Sequence, residues 1–242
     1  MDIRNLLKFN QQKTELIIFC PKKHESKFQN FSLLLGDTRI NNSPVVKNLG
    51  VYLDCTLSML KHINEKSRSA HFQIKNIWSL RKCLTEDATK SLVNALVIPK
   101  LDYCNSLLFG VKQNSLMKLQ RVQNSAARLI KRVRKRQHIT PSLKELHWLP
   151  VKYRIEFKIL LLTFKTLNGN GPSYIRCLLS EKKCLRSDNT KLVIPTMNLV
   201  KTGERAFSHA APRLWNQLPQ EIGNHRHLQK EAKNILFSKV FW

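Results

Sequence analysis

The stretch Asn114 to Gln137, NSLMKLQRVQNSAARLIKRVRKRQ, constrains this chain more than any other. Leu116, Leu119, Val122, Ala126, Leu129, Ile130 and Val133 recur at helical spacing, which predicts one amphipathic helix with a buried face. Beside that face, Lys118, Arg121, Ser125, Arg128, Arg132 and Lys135 draw a basic stripe, widened at its end by Lys131, Arg134 and Arg136. Asn114 is the expected N-cap, its side-chain oxygen accepting from amides of the first turn. The late cations fall where the helix dipole is negative, which suits them. No Asp or Glu occurs from Tyr103 to Lys144, so the stripe has no counter-charge near it in sequence. A solvated charged face is the plain alternative for any such run. Composition argues against it here: 42 Lys plus Arg stand against 16 Asp plus Glu, a net charge of +26. A surplus of that size strains a compact state until a polyanion screens it. Nucleic acid is the first expectation for that partner and an anionic membrane the second.

The chain has 242 residues, 42% of them hydrophobic, enough to build a core in one large or two small domains. No apolar run approaches the length of a bilayer span. The N-terminal MDIRNLLKFN carries an acid and lacks a secretory hydrophobic core. The expectation is a soluble intracellular protein, nuclear or cytoplasmic, not secreted and not in a membrane. Six cysteines occur without a Cys-x-x-Cys pair, so no metal site is expected. Cys83 and Cys104 lie among apolar residues and are expected to pack as small hydrophobes. His225 and His227 invite a metal reading, but with no cysteine or carboxylate cluster beside them a solvated pair is the better expectation. No nucleophile elbow and no glycine-rich phosphate loop is present, so no cofactor is expected.

Glu15 to Cys20 and Val45 to Leu53 read as strands, and Phe31 to Ile40 as a hairpin turning at Gly36-Asp37. Gly50 inside the second strand suggests a bulge or the close approach of another backbone. After Asp54 the pattern turns helical. Leu60 to about Cys83 is amphipathic, and Thr85 caps a second helix that Pro99 kinks or ends. Leu101 to Phe109 is apolar up to Gly110, and the basic helix follows. Thr140-Pro141 and Leu149-Pro150 mark helix starts, and Asn168-Gly169 closes the segment that begins at Val151. Arg205 to Leu218 is expected to be helical with Pro212 interrupting it, and Leu228 to Phe241 forms a last helix. Trp148 and Trp215 each lie near a proline, where base stacking is conceivable and core anchoring of a helix junction is the better expectation.

Six strings together carry a resemblance: FNQQKTELIIF, VKNLGVYLD, LDYCNSLLFG, LQRVQNSAARLI, ITPSLKELHWLPVKYRIEFKILLLTFKTLNG and RAFSHAAPRLWNQLP. They resemble the C-terminal third of a LINE-type (non-LTR) retrotransposon reverse transcriptase, from about Phe9 to Leu218. The resemblance implies an α+β, mainly α fold. Residues 1–54 would be a palm remnant with primer-grip-like strands, 55–180 a helical thumb-like domain, and 181–242 a C-terminal helical and loop region. It implies that Lys13 matches a late palm lysine assisting pyrophosphate departure. It implies further that Leu49, Gly50 and Val51 match the primer-grip turn.

The sequence departs from that family where its chemistry lies. Two-metal nucleotidyl transfer needs carboxylates that hold two cations a few ångströms apart. The six aspartates, Asp2, Asp37, Asp54, Asp87, Asp102 and Asp188, include no adjacent pair. Asp54 and Asp102 are expected to cap helical segments rather than to bind metal. The expectation is therefore a fragment without catalytic residues. It would bind DNA, RNA or an RNA–DNA hybrid through phosphates, with Lys118, Arg121, Arg128, Lys131, Arg132, Arg134, Lys135 and Arg136 as the binding residues. One alternative is an active polymerase completed by a palm from elsewhere. Another is a helical interaction module for acidic protein partners.

Overall fold

In the computed structural model, residues 10–180, 191–196, 203–218 and 233–238 are described. The fold is α+β and mainly α, with two small antiparallel two-stranded sheets followed by helices. The chain divides into two compact units, residues 1–65 and 66–242. The expected limits after residues 54 and 180 do not coincide with that division.

The first unit holds two hairpins. β1 (Ser32–Leu35) pairs with β2 (Thr38–Asn41) across Gly36-Asp37, as the sequence predicts. The expected single strand over Val45 to Leu53 is instead a second hairpin, β3 (Val45–Asn48) with β4 (Val51–Asp54). Leu49 and Gly50 form its two-residue turn with φ of +45° and +79°. Positive φ at both central positions is the turn geometry that matches strand twist, so Gly50 serves a turn and not a bulge. Leucine is a poor residue there, since the left-handed region crowds its Cβ against the carbonyl at about 1–2 kcal/mol. Leu49→Asn is therefore expected to stabilise this hairpin by about 1 kcal/mol, slowing hydrogen exchange at the Asn48 and Val51 amides roughly fivefold. Unchanged or faster exchange would show that the turn is not strained.

The expected strand over Glu15 to Cys20 does not form. Leu16 makes only an isolated bridge to Asn42. The Asn42 side chain interrupts further pairing, accepting from Ile18 N at 3.1 Å and donating to Phe28 O at 2.8 Å. Asp54 ends β4 and organises the turn after it rather than capping the following helix, since the amides it serves, Ser58 and Met59, lie before that helix starts at Leu60. Its carboxylate accepts from Ser58 N at 2.8 Å, Met59 N at 2.7 Å and the Thr56 hydroxyl at 2.7 Å. Burial pushes its pKa up, but these hydrogen bonds together hold it below the ordinary value.

The helices are α1 (Leu60–Leu80), α2 (Glu86–Leu96), α3 (Ile98–Asp102) and α4 (Gln113–Lys131). They continue as α5 (Thr140–Glu145), α6 (Val151–Leu167), α7 (Ser173–Arg176) and α8 (Phe207–Trp215). Thr85 caps α2 by accepting from Ala88 N, and Pro99 sits in the first turn of α3, where its missing N–H costs nothing. In the second unit α6 is the central element, packing against α3, α4, α7 and α8, while α2 and α5 pack against α4. Trp148 and Trp215 are both buried, so they anchor the core rather than offer stacking faces. Cys83 is exposed and Cys104 half-buried, with φ of +52°, so neither packs as the small core hydrophobe expected. No helix among the described residues is long and apolar enough to cross a membrane. His225 and His227 lie outside the described residues.

Candidate nucleic-acid interface

The predicted buried face of α4 is realised except at Val133, which lies beyond the helix and is half-buried. Leu116, Leu119, Val122, Ala126, Leu129 and Ile130 are all buried, each large side chain contributing about 1.5–3 kcal/mol of transfer free energy. Two glutamines fix the helix against the start of α6. The fully buried Gln123 donates to Leu149 O at 2.8 Å, and Gln120 Oε1 accepts from Val151 N at 2.8 Å. Gln120 thus satisfies an amide that α6 itself leaves unpaired in its first turn.

Both ends of α4 differ from the sequence reading. The helix begins at Gln113 with Lys112 before it and no side-chain cap, so Asn114 is not the N-cap. It ends at Lys131 and does not run to Gln137. Arg132 takes the left-handed conformation with φ of +54°, and the Arg132 and Val133 amides both donate back to Arg128 O. Such a closure satisfies the last turn's carbonyls. Arg128 with Arg132, Lys131 with Lys135, and Arg132 with Arg136 would be like-charge pairs four apart, which oppose continuation of the helix. The Leu129 and Ile130 carbonyls of the last turn accept from Arg81, whose Nε and Nη2 donate to them at 2.8 and 2.9 Å.

Arg81 is the residue that sequence reading misses. It is buried, and its Nη1 donates to Leu84 O at 2.7 Å, so one guanidinium serves three carbonyls. A cation here neutralises the negative end of the α4 dipole. Burial pulls its pKa down, with Arg132 acting in the same direction. A signal existed in the sequence: Arg81 continues the apolar series Ile63, Ala70, Ile74 and Ile77 of α1 at helical spacing, so a charge stood in phase with a buried face.

The predicted basic residues therefore fall into two sets. Lys131 is neutralised: its Nζ lies 2.6 Å from Glu86 and also pairs with Glu145, and its side chain is only 15% exposed. The hydrogen bonds to Glu145 and Glu86 raise its pKa. The absence of acids from Tyr103 to Lys144 holds in sequence but not in space, because residues on either side of that window supply them. Lys131 is corrected from binding residue to structural ion pair. Arg128 is half-buried and donates from Nη2 to Gln137 O at 3.3 Å, bracing the loop below it.

The second set is exposed. Arg121 lies on the outer face of α4, with Lys118 half-buried one turn before it. Arg132, Arg134, Lys135 and Arg136 are exposed on the turn after α4, not on a helical stripe. That turn is tied by Gln137, whose N donates to Arg134 O at 3.1 Å and whose Oε1 accepts from Arg134 N at 3.0 Å. Four cations thus stand within five residues on a hydrogen-bonded turn.

The remaining expected sites lie in the first unit. Lys13 is exposed at the end of a 3₁₀ turn, Gln11–Lys13. Leu49 is 84% exposed at the β3–β4 turn, and Val51 is buried. Asp102 does not cap a helix. It sits at the C-terminal end of α3 and binds Arg154 through two 2.9 Å hydrogen bonds. Among the described residues, no three His, Cys, Asp or Glu side chains lie together as metal ligands would. Comparison with known protein families, curated proteins and solved structures finds no match to this chain.

Proposed function

We propose that this chain binds a nucleic-acid duplex or hybrid through its phosphates, as the C-terminal part of a LINE-type reverse transcriptase without that enzyme's catalytic carboxylates. One observation carries the reading: Arg132, Arg134, Lys135 and Arg136 are exposed together on an ordered turn, with Arg121 on the adjoining helix. A braced cluster of this kind costs little ordering on binding, and arginine forks match phosphate oxygens. Phosphate contacts position a protein without reading sequence, so low sequence specificity is expected. In this reading the exposed Leu49-Gly50 tip keeps the primer-grip role that the resemblance implies.

The test is binding of a duplex DNA and an RNA–DNA hybrid of equal length, each in scrambled sequences, at several salt concentrations. Five contacts at about −0.9 each give an expected slope of log K against log salt of roughly −4.5. Affinities should agree across scrambled sequences. A slope near zero would remove the phosphate reading and favour an acidic protein partner instead.

A further inference from the structure

A cleft of about 770 Å³ opens in the second unit, away from the basic turn. Its walls come from separate segments: Lys90 and Asn94 of α2, Asp102 of α3, the Leu146–Leu149 loop, one face of α6, and Lys233. The volume falls within the range of small-molecule sites.

Four cations line it, Lys90, Arg154, Lys158 and Lys233, against one carboxylate, Asp102. The bidentate Arg154–Asp102 pair uses up one of each. Glu86, one turn before Lys90, is drawn to Lys131. Three ammonium groups from three segments line one space, Lys90 near Glu86 and Lys158 near Asp102 but both carboxylates already bound to other cations, and an anion there relieves the remaining repulsion. Each ammonium is a compact point charge suited to phosphate oxygens.

A bare anion does not suit the rest of the wall. Trp148, Leu149, Phe157 and Leu161 are apolar, and His147 beside them lies 5.6 Å from the Phe237 ring. Asn105 also lines the cleft. It is 4% exposed, and its Oδ1 is buried without a hydrogen-bond partner while its Nδ2 lies 3.5 Å from Asp102. An unpaired buried acceptor costs about 1–3 kcal/mol, which a donor N–H on a ligand removes. Flat aromatic surface, an N–H donor and a phosphate charge occur together in a nucleotide; inorganic phosphate offers only the last.

We infer that this cleft binds a nucleoside phosphate, its phosphates held by Lys90, Lys158 and Lys233 and its base lying against the half-buried Phe157 and Leu161 within reach of Asn105. The nucleotide is either free or the end of a strand, and both sources present the same chemistry. The site goes beyond the duplex-binding role and does not depend on it, because no residue of the basic turn lines the cleft.

The experiment is calorimetric titration of the full chain with ATP, tripolyphosphate and a 5′-phosphorylated single-stranded hexanucleotide at fixed salt. ATP should bind at least about tenfold more tightly than tripolyphosphate, since the wall and Asn105 add contacts to the charge. Lys90 and Lys158 lie on helix surfaces, so the double variant K90Q/K158Q should fold, with circular dichroism as the check. Its ATP affinity should fall about a hundredfold, roughly tenfold for each charge-assisted bond removed. R134Q/R136Q should bind ATP like wild type while losing duplex affinity, which separates failure of this site from failure of the basic turn. If the hexanucleotide competes with ATP, the occupant is a strand end; if it does not, the occupant is the free nucleotide. Both results require ATP to bind in the cleft. Equal affinity for ATP and tripolyphosphate, no ATP binding, or ATP binding unaffected by K90Q/K158Q would overturn the inference.

Discussion

Replacing Arg81 with alanine is expected to destabilise the helical unit by about 3–5 kcal/mol, the cost of leaving three carbonyl acceptors without their buried donor. The guanidinium is buried and donates to Leu129 O, Ile130 O and Leu84 O. Alanine leaves two carbonyls at the end of α4 and one after α1 without donors, and each orphan acceptor costs about 1–3 kcal/mol. It also removes the cation opposite the helix dipole. Arg81→Lys keeps the charge but not the planar fork, so it should recover less than half of the loss. For a unit of this size the alanine variant should melt roughly 6–20 °C lower, at about 2–4 °C per kcal/mol. Thr85→Ala, which removes a single cap bond to Ala88 N, should cost only about 1 kcal/mol. The measurement is urea and thermal denaturation of the full chain at one salt concentration. A loss below about 1 kcal/mol for Arg81→Ala would mean that water replaces the guanidinium freely and that α4 is not anchored through it.

Changing Arg132, Arg134, Lys135 and Arg136 together to glutamine should leave the fold in place and remove most nucleic-acid affinity. Four phosphate contacts at about −0.9 each predict that the salt slope shrinks by roughly 3–4 units. The loss should be alike for every sequence, since no base edge is read. Stability should stay level or rise, because four mutually repelling cations leave a strongly basic chain. Lys131→Gln is the contrasting variant. It leaves Glu86 and Glu145 without their partner, so it should lower stability by up to about 1 kcal/mol while the salt slope stays unchanged. The two variants therefore move different observables. A quadruple variant with full affinity would transfer the binding surface elsewhere on the chain, and a reduced slope in Lys131→Gln would restore that lysine to the interface.

The elements that sequence reading placed well are those whose cause is local. Thr85, Pro99, Thr140-Pro141, Leu149-Pro150 and Asn168-Gly169 each act on the backbone within one turn, and the helices begin and end beside them. The buried face of α4 was legible from Leu116 to Ile130 because helical period alone selects it. The second hairpin was less legible: Val45 to Leu53 is apolar on both sides of the turn, and Leu49 carries none of the usual turn chemistry.

By itself the sequence determined that this chain is mainly helical, strongly basic, and equipped with an amphipathic helix at its centre. Those properties follow from periodicity and from a count of charges, and neither depends on which segments meet. Only the tertiary structure decided how the end of α4 is held, since Arg81, just beyond α1, donates to the last-turn Leu129 and Ile130 carbonyls. It also decided which cations remain exposed, since Glu86 and Glu145 reach Lys131 from outside the acid-free stretch. A hydrogen bond or an ion pair forms between neighbours in space, and neighbours in space are set by packing rather than by the order of residues along the chain.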